Sequence, residues 1–200
     1  GLAHLQFLES DAAPEEAMKL ELGDLAELCR SAVERCRAAC AARGRTVELT
    51  VDAPDACPVV YDRALLLRAL LNLLTNALRT PEVSRVCVRL THGQGRVSIV
   101  VADDGPGVPA EQLSRLYHDW ARPWDEAGWM EQSMPCGLGL PLVRQVAGWH
   151  GGTLLLEPGQ EGGTVFRLSF PDDLPPDPPQ LGQSLPDDSL DLVEIELSIL

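Results

Sequence analysis

The sequence lacks any long apolar segment. No uninterrupted apolar run comes near the length of about 18 residues that a membrane-spanning helix needs. The N-terminus has no signal-peptide pattern either. Because the chain begins with Gly1 rather than Met, we expect it to be part of a longer protein, whose upstream part could hold both a leader and a membrane span.

Basic residues are also scarce. The chain has 16 Lys and Arg against 30 Asp and Glu, which gives a formal net charge of −14. Residues 171–200 contain no Lys or Arg at all, and the rest of the chain has no stripe of basic side chains. This charge distribution argues against binding to nucleic acid and against docking on an anionic membrane surface.

No two of the six cysteines form a C-x-x-C pair, and a chain of 200 residues does not need a disulfide framework. Cys29, Cys36 and Cys40 recur with Val33 at helical spacing, which predicts small buried side chains rather than a metal site. With 45% hydrophobic and 23% charged residues, the composition is that of one ordinary globular domain.

Periodicity predicts helices at about 23–43, 63–78, 110–117 and 138–149, and strands at 46–51, 58–61, 85–90, 96–101, 153–156 and 164–170. Gly44 is expected to cap the first helix at its C-terminus, and Asp62 to cap the second at its N-terminus. The expected inward face of the first helix consists of Leu22, Leu25, Leu28, Cys29, Ala32, Val33 and Cys36. Helices mixed with hairpin-linked strands predict helices on one face of a mixed sheet.

The two ends of the chain differ from its centre. Residues 1–20 indicate the end of an upstream helical region and a linker, and residues 172–200 an acidic, Pro-rich linker with a C-terminal segment. In that segment Val193, Ile195, Leu197 and Ile199 alternate with polar residues. This pattern predicts either a strand that adds to a sheet edge or an acidic tail that aids solubility.

Two asparagines stand out on the Leu-rich helix at 63–78. Asn72 and Asn76 are four residues apart and therefore share a face. Amide oxygens suit Mg²⁺, which commonly bridges protein to phosphates. The alternative is that both amides bond neighbouring backbone.

Two glycine-rich turns follow later in the chain. Asp103-Asp104-Gly105-Pro106-Gly107 ends an apolar strand in an acidic turn, and Gly137-Leu138-Gly139-Leu140 opens a helix. A fixed carboxylate can accept a hydrogen bond from an amino group, and N–H groups at a helix start suit phosphate. Each turn alone is equally compatible with an ordinary loop.

Taken together and in this order, the motifs resemble the histidine-kinase branch of the Bergerat-fold (GHKL) ATPases. The resemblance covers about 20–171, and it places the catalytic domain at 21–171. The matching stretches are Leu70–Ala77 for the N box, Asp103–Val108 for the G1 box, Leu116–Arg122 for the F box, Gly137–Leu140 for the G2 box, and Trp149–Thr153 with Gly163–Phe166 for the closing strands.

The resemblance implies a two-layer α/β (α+β) sandwich with a mixed, mostly antiparallel sheet and helices on one face. It also implies roles for individual residues: Asp103 for the adenine amino group, Thr164 for adenine through water, Asn76 with Asn72 beside it for Mg²⁺, Arg79 and Arg122 for phosphate, and Gly105, Gly107, Gly137, Leu138, Gly139 and Leu140 for close contact of the backbone with ATP.

The implied activity is transfer of the ATP γ-phosphoryl group to a His on a dimerisation domain outside this chain. Hydrolysing relatives have a Glu base where Asn72 stands, and an amide cannot accept a proton from water. The implied partners are that phosphoacceptor domain and a response regulator, in a homodimeric full-length protein. The domain would be cytoplasmic, with a membrane anchor possible elsewhere in the protein.

Some features depart from the family pattern. The aromatic residue that usually follows the basic residue of the N box is absent after Arg79, and Pro135-Cys136 stands where a glycine usually precedes the G2 box. None of the four histidines has the sequence context of the phosphoacceptor. Two alternatives therefore stay open: a degenerate, non-catalytic nucleotide- or partner-binding module, and an anti-sigma-type serine kinase.

Overall fold

A computed structural model describes residues 18–120 and 140–173 of the chain. The strands are β1 (Leu20–Asp24), β2 (Glu48–Asp52), β3 (Pro58–Asp62), β4 (Arg85–Gly93), β5 (Arg96–Asp103), β6 (Thr153–Pro158) and β7 (Thr164–Pro171). The helices are α1 (Leu25–Ala42), α2 (Arg63–Leu78), α3 (Ala110–Trp120) and α4 (Leu140–Trp149).

Five strands form one sheet in the order β2-β4-β5-β7-β6. The β2–β4 pair is parallel, whereas β4–β5, β5–β7 and β6–β7 are antiparallel. Strands β1 and β3 form a separate antiparallel ribbon. The last strand that the structure describes, β7, thus lies inside the sheet, where Ala102 of β5 pairs with Val165. This register brings the end of β5 next to the start of β7.

Alternation along the strands places the core on one face of the sheet. Every second residue of the inner strands is buried, and α1, α2 and α4 pack on this face. The buried apolar residues of β4, β5, β6 and β7 are Val86, Val88, Leu90, Val97, Ile99, Val101, Leu154, Leu156, Phe166, Leu168 and Phe170. The predicted two-layer arrangement and the mostly antiparallel sheet are confirmed.

Aspartates begin the two long helices. The Asp24 carboxylate accepts hydrogen bonds from the N–H groups of Ala26 and Cys57 at 3.0 and 2.9 Å, so it joins the start of α1 to the residue before β3. Asp62 accepts from the N–H of Leu65 at 3.1 Å, as its predicted N-cap position requires. At the other end of α1, Gly44 adopts a φ of +67° as expected for a C-terminal cap.

The end of α4 is tied to the start of α2 by a buried histidine. His150, which is 0% exposed, accepts a hydrogen bond at Nε2 from the Asp62 N–H at 3.1 Å, and its Nδ1 lies 2.8 Å from the Val146 carbonyl oxygen. The C-terminal end of α4 therefore meets the N-terminal end of α2, and the two helices are in contact.

Two predictions about the start of the domain were wrong. Leu22 was expected on the buried face of the first helix, but it lies in β1 and is 74% exposed, because Asp24 caps the helix and fixes its start at Leu25. The first helix was expected from about residue 23, but residues 23 and 24 belong to β1 and α1 begins at Leu25. Strand β2 also begins two residues later than expected, at Glu48.

The cysteine prediction is confirmed for α1: Cys29, Cys36 and Cys40 are all buried. Burial raises the pKa of the Cys29 and Cys36 thiols to about 12, which makes them unreactive side chains of the core. Cys136, the predicted segments before Met18 and those after Asp173 lie outside the described residues. Within 18–120 and 140–173, no helix is both long and apolar enough to cross a bilayer.

Candidate functional site

Three parts of the chain meet around one cavity of about 410 Å³: the C-terminal end of α2, the end of β5 with its following loop, and the start of β7. Its lining residues are Asn76, Arg79, Thr80, Pro81, Asp103, Pro106, Gly107, Val108, Gln112, Thr164 and Phe166. A second, larger cavity lies between Tyr117 and Leu155, but it contains none of the predicted site residues. The first cavity is therefore the candidate site.

Asp103 supplies the carboxylate of the cavity. Its Oδ1 accepts a hydrogen bond from the N–H of Gly105 at 2.9 Å. Partial burial raises the pKa of the Asp103 carboxyl, and the backbone N–H groups of Gly105 and Thr164 oppose that rise. A carboxylate offers about four acceptor positions. Asp103 therefore keeps capacity to accept a hydrogen bond from a ligand amino group.

The neighbouring Asp104 has a different environment. Its carboxylate accepts hydrogen bonds from the N–H groups of Ser84 and Arg85, both at 2.9 Å, and from the Ser84 hydroxyl. These bonds, led by that of the Ser84 hydroxyl, lower the pKa of Asp104 to about 2. The two adjacent acids thus have opposite roles: Asp104 fastens the loop to the start of β4, and Asp103 faces the cavity.

Two glycines allow the loop after β5 to lie directly against β7. Gly163 has a φ of +82°, and a Cβ at this position would lie 1.9 Å from the Asp103 carbonyl oxygen. Gly107 has a φ of +77°, and a Cβ there would lie 3.0 Å from the Gly163 carbonyl oxygen. A side chain at Gly163 would force the two backbones apart and would displace Asp103.

The structure separates the two asparagines of α2. Asn76 is half-buried and lines the cavity. Asn72 is 6% exposed and does not line it, and its Nδ2 donates to the Arg68 carbonyl oxygen at 2.9 Å within the helix. The backbone bond anticipated as the alternative is thus formed by Asn72. Among the described residues there is no cluster of three or more His, Cys, Asp or Glu side chains suited to a metal ion.

Other predicted residues fall into three groups. Arg79 and Thr164 line the cavity as expected, and Gly105 binds Asp103 from the adjoining loop. Leu140 is 1% exposed and packs into the core at the start of α4. Four further residues lie outside the described residues, and their roles remain predictions: Arg122, Gly137, Leu138 and Gly139.

Sequence reasoning assigned no role to several cavity residues. Thr80 and Pro81 follow Arg79 directly and line the cavity. They stand where the family usually has an aromatic residue. This difference from the family pattern was the one sequence signal that could have pointed to them. Gln112 enters the cavity from α3, and nothing in the α3 sequence distinguishes it from other polar residues of an amphipathic helix. Phe166 and Val108 belonged to the matched motifs without an assigned function.

Comparison with known proteins agrees with this geometry. A family described as "Histidine kinase-, DNA gyrase B-, and HSP90-like ATPase" matches residues 61–174. The chain is 40% identical over 120 residues to histidine protein kinase DivJ of Caulobacter vibrioides, and this match covers 59% of the chain and 19% of DivJ. It is 36% identical over 153 residues to the signal transduction histidine-protein kinase/phosphatase MprB of Mycobacterium sp. strain KMS, covering 75% of the chain and 28% of MprB.

Solved structures of histidine kinases also resemble the chain. The mycobacterial sensor histidine kinase MprB matches with a TM-score of 0.57 at 30% identity, over 76% of the chain and 96% of that structure. The catalytic domain of histidine kinase ThkA matches with a TM-score of 0.65 over 79% of the chain and all of that domain, and at 20% identity it supports the fold alone. The family match extends over more than half of the 200 residues. The chain therefore belongs to the family of histidine kinase-, DNA gyrase B- and HSP90-like ATPases, in its histidine-kinase branch.

Proposed function

We propose that this chain is the ATP-binding catalytic domain of a sensor histidine kinase. It binds Mg²⁺-ATP and donates the γ-phosphoryl group to a His on a dimerisation domain outside this chain. The observation that carries the proposal is the partly buried Asp103 carboxylate, which faces a cavity also lined by Asn76, Arg79 and Thr164. The named relatives are histidine kinases, of which the chain spans 19–28%.

Asp103 is the centre of adenine recognition in this proposal. Its remaining acceptor positions face the cavity, so it can accept a hydrogen bond from the exocyclic amino group of adenine. Thr164 lies beside it at the start of β7 and would hold adenine through a water molecule. The close contact of Gly107 with Gly163 fixes the distance between the two walls, so the carboxylate is already in place before the ligand arrives.

The phosphate end of the site would be formed by α2 and the start of α4. The Asn76 amide oxygen is a hard ligand at the cavity wall, and it fits Mg²⁺, which neutralises phosphate charge when bound. Arg79 and Arg122 would contact phosphate, and Gly137 and Gly139 would present N–H groups at the start of α4. Asn72 would support Asn76 from the preceding turn.

The same residues favour transfer to a protein side chain over hydrolysis. Asn72 stands where hydrolysing relatives have a Glu base, and its amide is engaged with the Arg68 carbonyl oxygen. An amide in this position cannot activate water. The further partners would be a response regulator and a second copy of the full-length protein. In the full-length protein this domain would lie in the cytoplasm, and a membrane anchor could lie elsewhere in the same protein.

The adenine assignment is tested by Asp103→Asn. We expect ADP binding to weaken about 10- to 150-fold, because a charge-assisted hydrogen bond is worth about 1.5–3 kcal/mol. Isothermal titration calorimetry with wild type and variant measures the change. Asp52→Asn alters the exposed ion pair between Asp52 of β2 and Arg89 of β4; it is the matched control and should bind ADP as the wild type does. Equal affinities of Asp103→Asn and wild type would refute the assignment.

The metal and transfer steps need separate tests. Asn76→Ala should abolish the Mg²⁺ dependence of ATP binding, and an unchanged dependence would mean that the residue that binds Mg²⁺ lies elsewhere.

The isolated chain should not phosphorylate itself, and it should only weakly phosphorylate a dimerisation domain supplied separately, since proximity is lost. ATP binding without any transfer to such a domain would favour the degenerate, non-catalytic module instead. Stable phosphohistidine on the chain alone would contradict the proposal.

A further inference from the structure

An arginine outside every matched motif contacts the segment that forms one wall of the cavity. Arg45 follows the C-terminal cap of α1, where its N–H donates to the Cys40 carbonyl oxygen at 3.0 Å. Its guanidinium donates to the carbonyl oxygens of Leu78 and Thr80, the latter at 2.7 Å, and more weakly to that of Val83 at 3.5 Å. One side chain thus bridges the last carbonyl of α2 and two carbonyls of the connection between α2 and β4.

The Leu78 carbonyl at the end of α2 needs an external donor, whereas the Thr80 carbonyl already accepts a hydrogen bond from the Val83 N–H at 3.1 Å. Pro81 has no N–H and cannot continue α2, so the carbonyls at the end of the helix lack the backbone donors of a further turn. The last turn of α2 contains no basic residue of its own. The guanidinium of Arg45 therefore supplies both hydrogen-bond donors and a positive charge at the negative end of the helix dipole.

The connection is held from its opposite side by the loop that contains Asp103. A Cβ at Gly105 would lie 2.8 Å from Cγ2 of Val83, which shows how closely the two segments pack. The Asp104 carboxylate binds the Ser84 N–H at 2.9 Å. Residues 79–84 are thus fixed between Arg45 and the loop after β5, and three of them, Arg79, Thr80 and Pro81, line the cavity.

We propose that Arg45 is a positioning residue for nucleotide binding. It holds the wall formed by Arg79, Thr80 and Pro81 at the distance from Asp103 that the nucleotide requires. This inference rests on the proposed function, since it assigns a role in the same site. Arg45 does not itself line the cavity, so its effect is transmitted through the carbonyls of Leu78 and Thr80.

The chain contains a matched control for the test. Arg30 has the same chemistry, because its guanidinium donates to two loop carbonyls, those of Pro54 at 2.7 Å and Asp55 at 3.3 Å. The loop that it holds lies between β2 and β3 and does not line the cavity. Arg30→Ala therefore removes an interaction of the same type, in a more exposed position, without disturbing the proposed wall.

The experiment measures ADP affinity by calorimetry on the whole chain, well below the melting temperature of every variant. We expect Arg45→Ala to weaken ADP binding about 5- to 20-fold through lost preorganisation, whereas Arg30→Ala binds as the wild type does. Arg45→Lys keeps the charge but cannot span both carbonyls, so its affinity should lie between those of wild type and Arg45→Ala. This graded rescue is not expected from a general loss of stability.

The outcomes separate this inference from the proposed function. Wild-type affinity in Arg45→Ala, or equal weakening in Arg45→Ala and Arg30→Ala, would overturn the positioning role while nucleotide binding stands. If Arg45→Ala does not fold, Arg45→Lys decides: a few-fold loss supports the role and wild-type affinity refutes it. Absence of ADP binding by the unaltered chain would remove the proposed function and this inference with it.

Discussion

The buried histidine between α2 and α4 leads to a quantitative prediction about stability and pH. His150 is 0% exposed, packs 5.3 Å from the Phe170 ring, and accepts a hydrogen bond from the Asp62 N–H while its other nitrogen faces the Val146 carbonyl oxygen. The first nitrogen must be unprotonated and the second protonated, so the imidazole is neutral. Burial, the main cause, lowers the pKa of His150 below its usual 6.5.

Replacing His150 by Leu keeps the apolar volume but leaves the Asp62 N–H without an acceptor. An unsatisfied buried donor costs about 1–3 kcal/mol. For a domain of this size each kcal/mol corresponds to a change of about 2–4 °C in melting temperature. We therefore expect the melting temperature at neutral pH to fall by about 2–12 °C. His92→Leu, on the exposed β4–β5 hairpin, is the control and should change it little.

The pH dependence follows from the lowered pKa. At a pH below 6.5 the unfolded chain binds a proton at residue 150 that the folded chain excludes, so stability falls with pH. The contribution of His150 is complete above the unfolded pKa of 6.5 and is lost as the pH falls toward the folded value, by up to about 1.4 kcal/mol per pH unit. His150→Leu should lack this part of the slope. Parallel stability curves of variant and wild type between about pH 5.5 and 7.5 would refute the reasoning.

Three further predictions concern the loop after β5, its contact with β7, and the C-terminal segment. Gly163→Val should both destabilise the fold strongly and abolish ADP binding, since its Cβ would lie 1.9 Å from the Asp103 carbonyl oxygen. The control is Gly148→Ala in α4, where a Cβ meets no other atom within 4 Å. It should leave ADP affinity unchanged and stabilise the folded domain by up to about 1 kcal/mol. Asp104→Ala should lower the melting temperature, and the difference from wild type should narrow as the pH falls from the unfolded pKa of 3.8 toward the folded value of about 2. A difference at pH 2 as large as at neutral pH would mean that the carboxylate is not its cause. Hydrogen exchange should show protected amides at 192–199 if this segment pairs with a sheet edge, whereas exchange as fast as in a free peptide would establish the acidic tail.

Local signals in the sequence were sufficient for most elements of the fold. Asp62 begins α2 where a capping residue was expected, and the β4–β5 hairpin turns at Gln94-Gly95, both with positive φ, within the predicted turn. These features depend on residues close together in the chain. The long helices and the hairpins were predictable for this reason.

The errors arose where distant residues decide the structure. Leu22 fits the helical spacing of α1, yet its backbone pairs with Val60 of β3, 38 positions away. The capping aspartate at position 24 was the local signal that could have corrected this, because a helix that starts after Asp24 cannot include Leu22. The parallel pairing of β2 with β4 likewise has no signature in either strand alone.

In the candidate site, too, some features were predictable from nearby residues and others depend on packing between distant parts of the chain. The order of the motifs predicted Asn76, Arg79, Asp103 and Thr164, which line one cavity. It did not distinguish Asn72 from Asn76, since both share a helix face and only the packing around α2 determines which amide reaches the cavity. The roles of these residues remain predictions until the nucleotide tests are made.

The position of β7 has a consequence for synthesis of the chain. Among the strands of residues 18–120 and 140–173, β7 is the last to be translated, yet it lies between β5 and β6 and contributes Thr164 and Phe166 to the cavity. Until Pro171 has left the ribosome, β5 retains an unpaired edge and Asp103 lacks its opposite wall. Nucleotide can therefore stabilise only a completed domain, so chains interrupted before β7 should gain nothing from ATP and remain exposed to aggregation and proteolysis.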